Sequence, residues 1–196
     1  MKTSNLTFLL ILSLAFGFTI SLPAQEKEKQ KVNKETTVKT YSFEEAYRLN
    51  KKKPRRMVVD VYTEWCGWCK KMDAEAFRDL AIVKYLNSHF YYVRLDAERK
   101  DTVVLDGNKL VNPNPTKARS THQLANELLR GRMSYPSFVF LNEKGQYIVS
   151  IPGYHKSREF EAILHFFGED AYLKEKPENF QKAYDDYIRN YMGGGK

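Results

Sequence analysis

Apolar residues recur along this chain in three rhythms, and each predicts a different kind of element. The first is the short, nearly continuous run. Met57-Val58-Val59-Asp60-Val61-Tyr62 is β-branched and apolar at almost every position, as in a strand buried on both faces, with Asp60 the one intruder. Phe90 to Asp96 is a second such run, and Lys70 to Leu86 between them has helical character with an interruption near Arg78-Asp79. A strand, a helix and a strand in this order predict parallel pairing through a right-handed crossover. Ser137-Phe138-Val139-Phe140-Leu141 and Gln146-Tyr147-Ile148-Val149-Ser150 are two further strands, and the tight link Asn142-Glu143-Lys144-Gly145 makes them antiparallel neighbours.

Helical spacing is the second rhythm. Ser42-Phe43-Glu44-Glu45 reads as a capping box that opens a helix with Phe43, Ala46 and Tyr47 on one face, running to about Lys52 before Pro54. Leu124, Ala125, Leu128 and Leu129 form a stripe capped within Ser120-Thr121-His122-Gln123 and closed by Gly131. Ser157 starts a helix with Phe160, Ile163, Leu164 and Phe167 on its core face. Pro177 opens a last one bearing Phe180, Ala183, Tyr184, Tyr187, Ile188 and Tyr191. Between the second strand and the Leu124 helix, Ala97 to Arg119 fits neither rhythm. Val103-Val104-Leu105 and Lys109-Leu110-Val111 flank Asp106-Gly107-Asn108 as a small hairpin, and Asn112-Pro113-Asn114-Pro115 is a loop. The pattern predicts an α/β domain, a central mixed sheet flanked by helices, with an insertion at 97–119 and an extra C-terminal helix. No internal repeat is visible.

The third rhythm is a single apolar stretch, Leu6 to Ile20, behind Lys2 and followed by Ser21, Leu22, Pro23 and Ala24. That order is a secretory signal peptide over residues 1–24, with Ala24 at the cleavage site. An uncleaved anchor is the alternative, but the run falls short of the roughly 20 apolar residues that span a bilayer. Gln25 to Lys39 is rich in Glu, Lys, Gln and Thr and reads as a disordered linker. Residues 40–192 then form one domain, and 193–196 a disordered glycine-rich tail. The location expected from the leader is periplasmic or secreted.

The formal net charge of +8 changes the picture little, because 32 basic residues are scattered among 24 acidic ones. The one dense basic run, Lys51 to Arg56, fits a helix end and loop, where cations are favoured. No nucleic-acid partner is expected.

The two cysteines, Cys66 and Cys69, are separated by Gly67-Trp68. A bracing disulfide closes a long loop, since the entropy removed from the unfolded chain grows with loop length, and this loop is short. Structural zinc takes four ligands, and there is neither a second cysteine pair nor a short spacing among His89, His122, His155 and His165. Redox chemistry is the reading that fits. The pair lies where a buried strand gives way to a helix, so Cys66 meets unsatisfied amides and the positive end of the helix dipole, which favour its thiolate. Cys66 is then the nucleophile, and Cys69, one turn along, resolves the mixed disulfide.

Val59-Asp60-Val61-Tyr62-Thr63-Glu64-Trp65-Cys66-Gly67-Trp68-Cys69-Lys70 resembles the active-site segment of the thioredoxin superfamily. It is most similar to exported thioredoxin-like proteins of Gram-negative bacteria and to the C-terminal domain of the membrane thiol–disulfide interchange reductase. Tyr135-Pro136 resembles the family's cis-proline facing the disulfide, and Gly153 the glycine after the last strand. The resemblance implies the thioredoxin fold, a catalytic set of Cys66, Cys69 and Asp60, and a substrate-binding set of Trp65, Gly67, Trp68, Tyr135 and Pro136. Asp60 corresponds to a buried acid that relays a proton to or from the second cysteine. Two departures stand out: Gly67-Trp68 replaces the familiar Gly-Pro, and the lysine that partners the buried acid has no counterpart, with Tyr92 near its place.

The expected function is a monomeric thiol–disulfide oxidoreductase acting on exported protein substrates, more as reductant than oxidant. It uses no metal or organic cofactor and takes electrons from a membrane donor. The rival is a binding or chaperone-like module on the same fold, in which the insertion and the tyrosine-rich last helix hold a client, supported by Tyr184, Tyr187 and Tyr191.

Overall fold

The computed structural model describes residues 36–194. The predicted signal peptide, most of the segment read as linker, and the last two residues of the predicted tail lie outside them. The last linker residues make contacts with the domain: Asn87 Nδ2 donates to the Thr37 carbonyl at 2.9 Å, the Lys39 amide donates to Asn87 Oδ1 at 2.8 Å, and Val38 packs on the core.

The expected strand–helix–strand unit is present. Strand β1 is Thr40–Tyr41, helix α1 Phe43–Lys52, β2 Arg56–Tyr62, α2 Gly67–Ala74, α3 Leu80–His89 and β3 Phe90–Asp96. The predicted interruption is real: a 3-10 turn over Ala76–Arg78 separates α2 from α3, and Asp79 caps α3 through the Ala81 amide at 2.9 Å. Ser42 caps α1, its Oγ accepting from the Glu45 amide at 3.1 Å. The chain continues through β4 Val103–Leu105, β5 Asn108–Leu110, α4 Gln123–Leu128, β6 Ser137–Leu141, β7 Tyr147–Pro152, α5 Ser157–Gly168 and α6 Phe180–Gly193. Pro177 opens a 3-10 turn ahead of α6 rather than α6 itself.

The main sheet has the order β1-β3-β2-β6-β7, parallel from β1 through β2 and antiparallel beyond. The central strand, β2, is thus hydrogen-bonded on both sides and covered on both faces. Its pleat divides the core. Met57, Val59 and Val61 join Phe43, Ala46, Leu124 and Leu128 under α1 and α4. Val58 faces the other way, with Phe138, Phe140, Met72, Leu86, Phe160 and Ile163, under α2, α3 and α5. Asp60 has the parity of Val58 and so lies in that second layer.

The 97–119 insertion is an ordered part of the domain. Its β4–β5 hairpin turns at Asp106 and Gly107, both at positive φ (49° and 83°), as a two-residue hairpin turn of matching twist requires. Asn108, read from sequence as part of the turn, is the first residue of β5. Tyr47 and Lys51 of α1 both donate to the Asp106 carboxylate, and Arg99 bonds Glu44 at 2.8 Å. Buried Asn112 donates to the Ser120 carbonyl at 2.7 Å, and buried His122 caps α4 through the Leu124 amide at 3.1 Å.

Helix α6 covers α5 with aromatic residues. Phe180, Tyr184 and Tyr187 pack around Phe166 at centroid distances of 5.2–6.0 Å. Among the described residues no helix is long and apolar enough to cross a membrane.

Phe140, fully buried on β6 and stacked on Phe167 at 4.0 Å, is the test of this layer. Phe140→Ala should lower the unfolding free energy by about 3–5 kcal/mol in a urea titration, the usual range for emptying a buried phenylalanine site.

Candidate redox site

The site forms where β2 runs out. Thr63-Glu64-Trp65 carries the chain off the sheet, the Cys66 amide donates to the Thr63 carbonyl at 3.1 Å, and α2 begins at Gly67 with Cys66 as its N-cap. Cys66 Sγ accepts from the Cys69 amide at 3.1 Å, one of the donors that a helix start leaves without an intrahelical partner. Cys66 and Cys69 form a disulfide with a Cα–Cα distance of 5.3 Å. Both sulfur residues are nearly covered, at 4 % and 3 % exposure, while Trp65 and Trp68 beside them stand 50 % and 57 % exposed. Gly67 leaves open space where a side chain would stand at the helix start.

Beneath the disulfide segment lies a charged layer inside an apolar one. The parallel register sets Asp60 opposite Arg94 and Val58 opposite Tyr92, and the two-residue pleat puts Asp60, Tyr92 and Arg94 on one face. Asp60 is 2 % exposed; its Oδ2 accepts from the Tyr92 hydroxyl at 2.8 Å, and its Oδ1 has no hydrogen-bond partner. Burial pushes the Asp60 carboxyl up to about 6 against the pull of Arg94 and the Tyr92 hydrogen bond. Burial and the neighbouring carboxylate raise the Tyr92 phenol well above its ordinary value, so it stays a donor. Arg94 is itself fixed by a two-pronged ion pair with Asp73 of α2, at 2.7 Å on one side, and lies 4.4 Å from the Tyr62 ring centroid.

The remaining predicted residues, Tyr135 and Pro136, lie on the chain leading into β6. Tyr135-Pro136 is a cis peptide, and the Pro136 carbonyl accepts from the Gly153 amide at 2.8 Å. Gly153 has φ 98°, a conformation that side-chain-bearing residues rarely adopt. Tyr135 meets Trp65 edge-on at 5.9 Å. Trp68 contacts Tyr154 at 5.2 Å, and the Lys71 ammonium lies over both rings at 5.3 and 4.9 Å.

Sequence reasoning placed Tyr92 near the position of the missing lysine; the structure makes it the hydrogen-bonding partner of Asp60. It missed Arg94 and Asp73, although the parity of Arg94 with Tyr92 was a usable signal. It also missed Tyr154, Glu98 and Arg119, which reach the site from loops whose path no periodicity encodes. Among the described residues no group of three or more His, Cys, Asp or Glu could hold a metal ion.

A helix-capping disulfide after the central strand and a cis-proline leading into β6 of this mixed sheet define the class of thiol–disulfide oxidoreductases with the thioredoxin fold. The thioredoxin-like domain family matches residues 43–168, and the chain belongs to that family. A thioredoxin-fold protein from Helicobacter pylori is similar at 18 % identity and TM-score 0.58, over 86 % of this chain and 99 % of that one. A structure described as DsbH oxidoreductase aligns at 15 % identity and TM-score 0.48, over 68 % and 85 % of the two chains. A thioredoxin from Thermus thermophilus aligns at 20 % identity and TM-score 0.49, over 66 % and 85 %. No curated protein matches the sequence.

The raised Asp60 value makes folding pH-dependent with a definite sign. The folded chain holds this proton up to about pH 6, whereas an unfolded aspartate releases it near 3.8. The favourable contribution is therefore complete below 3.8 and is lost as pH rises through 6. Asp60→Asn should gain on the wild type by roughly 2–3 kcal/mol between pH 4 and pH 7 in urea unfolding of the oxidised proteins. A gap that stays constant with pH would mean that Asp60 titrates as a solvated carboxylate.

Proposed function

We propose that the protein reduces disulfides in exported protein substrates, working in the periplasm or outside the cell and drawing electrons from a membrane dithiol donor. The observation that carries this reading is the Cys66–Cys69 disulfide at the start of α2, between two exposed tryptophans and above a buried acid with a free oxygen. The extracytoplasmic location rests on the leader-like pattern of residues 1–24.

In the reduced protein the Cys66 thiolate attacks one sulfur of a substrate disulfide. The substrate S–S bond breaks, a mixed disulfide forms, and one substrate sulfur leaves and takes up a proton. Cys69 then loses its proton, with Asp60 as the acceptor. Its thiolate attacks the Cys66 sulfur, breaking the mixed disulfide and closing the Cys66–Cys69 bond; the second substrate sulfur leaves as a thiolate and takes up a proton from solvent, and Asp60 gives its proton back to solvent. Two electrons pass to the substrate, and a dithiol donor returns them. The amide of Cys69 and the start of α2 stabilise negative charge on Cys66. Asp60, poised near 6, changes protonation state close to neutral pH, as a proton acceptor for a thiol must. Tyr135 and Pro136 align the incoming chain. The protein acts as a monomer, with the dithiol as its whole redox equipment.

The tyrosines that supported a client-binding module from sequence are engaged elsewhere: Tyr184 and Tyr187 pack on Phe166, and Tyr191 lies 5.4 Å from the His165 ring. This weakens the rival.

The deciding test is turnover of insulin disulfides by the mature protein with dithiothreitol as donor, beside the reduction potential of the pair. Sustained reduction with a potential near about −270 mV supports a reductant, and a value near about −120 mV would make it an oxidant. Cys69→Ser should accumulate a mixed disulfide with insulin, and Cys66→Ser should form none. Tyr92→Phe removes a hydrogen bond that favours the Asp60 carboxylate. The inflection assigned to Asp60 in the pH–rate profile of the Cys69 step should therefore move upward, and an unmoved inflection would separate Tyr92 from the proton transfer.

A further inference from the structure

The 97–119 insertion contributes no strand to the main sheet, yet its two ends meet on one side chain of the redox site. Glu98 Oε1 accepts the Trp65 indole N–H at 2.8 Å, and the Arg119 guanidinium lies over the same ring at 4.8 Å from its centroid. Each end is set in place. The Glu98 amide donates to Asp96 Oδ1 at 2.9 Å, directly after β3. Arg119 sits at φ 59°, and the next residue, Ser120, is bound through both its carbonyl and its hydroxyl to buried Asn112. With Tyr135 edge-on from β6's side, Trp65 is restrained from three directions while half its surface stays open to solvent.

That open surface forms one wall of a groove of about 390 Å³, with Met133 and Tyr135 among its other lining residues. Trp65 and Met133 put exposed apolar surface into this groove, and its two charged lining residues, Glu98 and Arg119, are already engaged on the indole. Such a wall suits an extended stretch of polypeptide carrying an apolar side chain. An unrestrained tryptophan would lose rotamer freedom on binding, at about 0.5–1.5 kcal/mol for a side chain of this kind.

We propose that the insertion is a specificity element: Glu98 and Arg119 hold Trp65 as a preformed wall that binds an extended apolar segment next to the substrate's disulfide. They are positioning residues, acting through Trp65, and the exchange chemistry remains with the cysteines. The inference rests on the oxidoreductase reading and names the substrate feature that the site selects.

The test compares insulin with the small disulfide 5,5′-dithiobis(2-nitrobenzoate) for the wild type, Glu98→Leu, Glu98→Gln and Arg119→Ala. Glu98→Leu and Arg119→Ala should each raise KM for insulin by about three- to tenfold, the factor set by re-ordering one side chain, with a smaller change for the small disulfide. Glu98→Gln, which keeps an acceptor for the indole N–H, should restore the insulin KM. The Trp65 indole N–H resonance, identified by its presence in Trp68→Phe, should lose its exchange protection in Glu98→Leu alone. Equal losses on both substrates, or an unchanged insulin KM with a freed Trp65, would overturn the specificity role. Wild-type protein that turned over neither substrate would instead remove the oxidoreductase reading, and this inference with it.

Discussion

Strand β2 is hydrogen-bonded to a neighbour on each side and covered by helices on each face, and it nevertheless carries a carboxylate. Everything at the redox end of the molecule is arranged around that conflict. A carboxylate out of water is costly unless it is hydrogen-bonded or neutralised. Here one oxygen has the Tyr92 hydroxyl, a cation lies across the ladder at Arg94, and the other oxygen has no partner. The proton is held to about pH 6 as the result. A lysine at the place of Tyr92 would add a positive charge beside the acid; a phenol adds only a dipole, and the positive charge is set one pleat further on, where Asp73 largely occupies it.

The same strand delivers the cysteines. Its last residue is Tyr62, four before Cys66, and α2 starts immediately after that cysteine. Strand end and helix start together fix the disulfide at the end of the central strand, with the Cys69 amide directed at the Cys66 sulfur. The buried acid sits a short way back along the same rigid strand. Chemistry that needs both a sulfur at a helix start and a water-free proton acceptor is thus met by a single change of secondary structure.

Around this centre, the additions to the basic fold serve different ends. Helix α6 buries aromatic surface against α5 and extends the core on the face that holds Asp60. The insertion lies on the opposite side, pinned to α1 by ion pairs and hydrogen bonds at Glu44, Tyr47 and Lys51, and reaches the surface of the redox site at Trp65. Exposed ion pairs of this type contribute little stability individually. Their effect here is geometric, since they orient a loop with little core of its own.

Periodicity and spacing alone determined the strand–helix–strand unit, the antiparallel β6–β7 pair, the core faces of α1, α4 and α5, and the redox pair at a helix start. These are local properties: a pleat repeats every two residues, a helix every 3.6, and two cysteines three apart need no distant partner to be recognised. Val59 to Lys70 also carried enough family pattern to mark Asp60 and Trp65, and Tyr135-Pro136 enough to mark the cis peptide. Tertiary structure alone decided that Tyr92 bonds Asp60, that Arg94 is held by Asp73, that Tyr154 meets Trp68, and that Glu98 and Arg119 converge on Trp65. Each of those contacts joins residues on different elements, and its existence depends on strand register or loop path, which are settled by the packing of the whole sheet rather than by any stretch of sequence read alone.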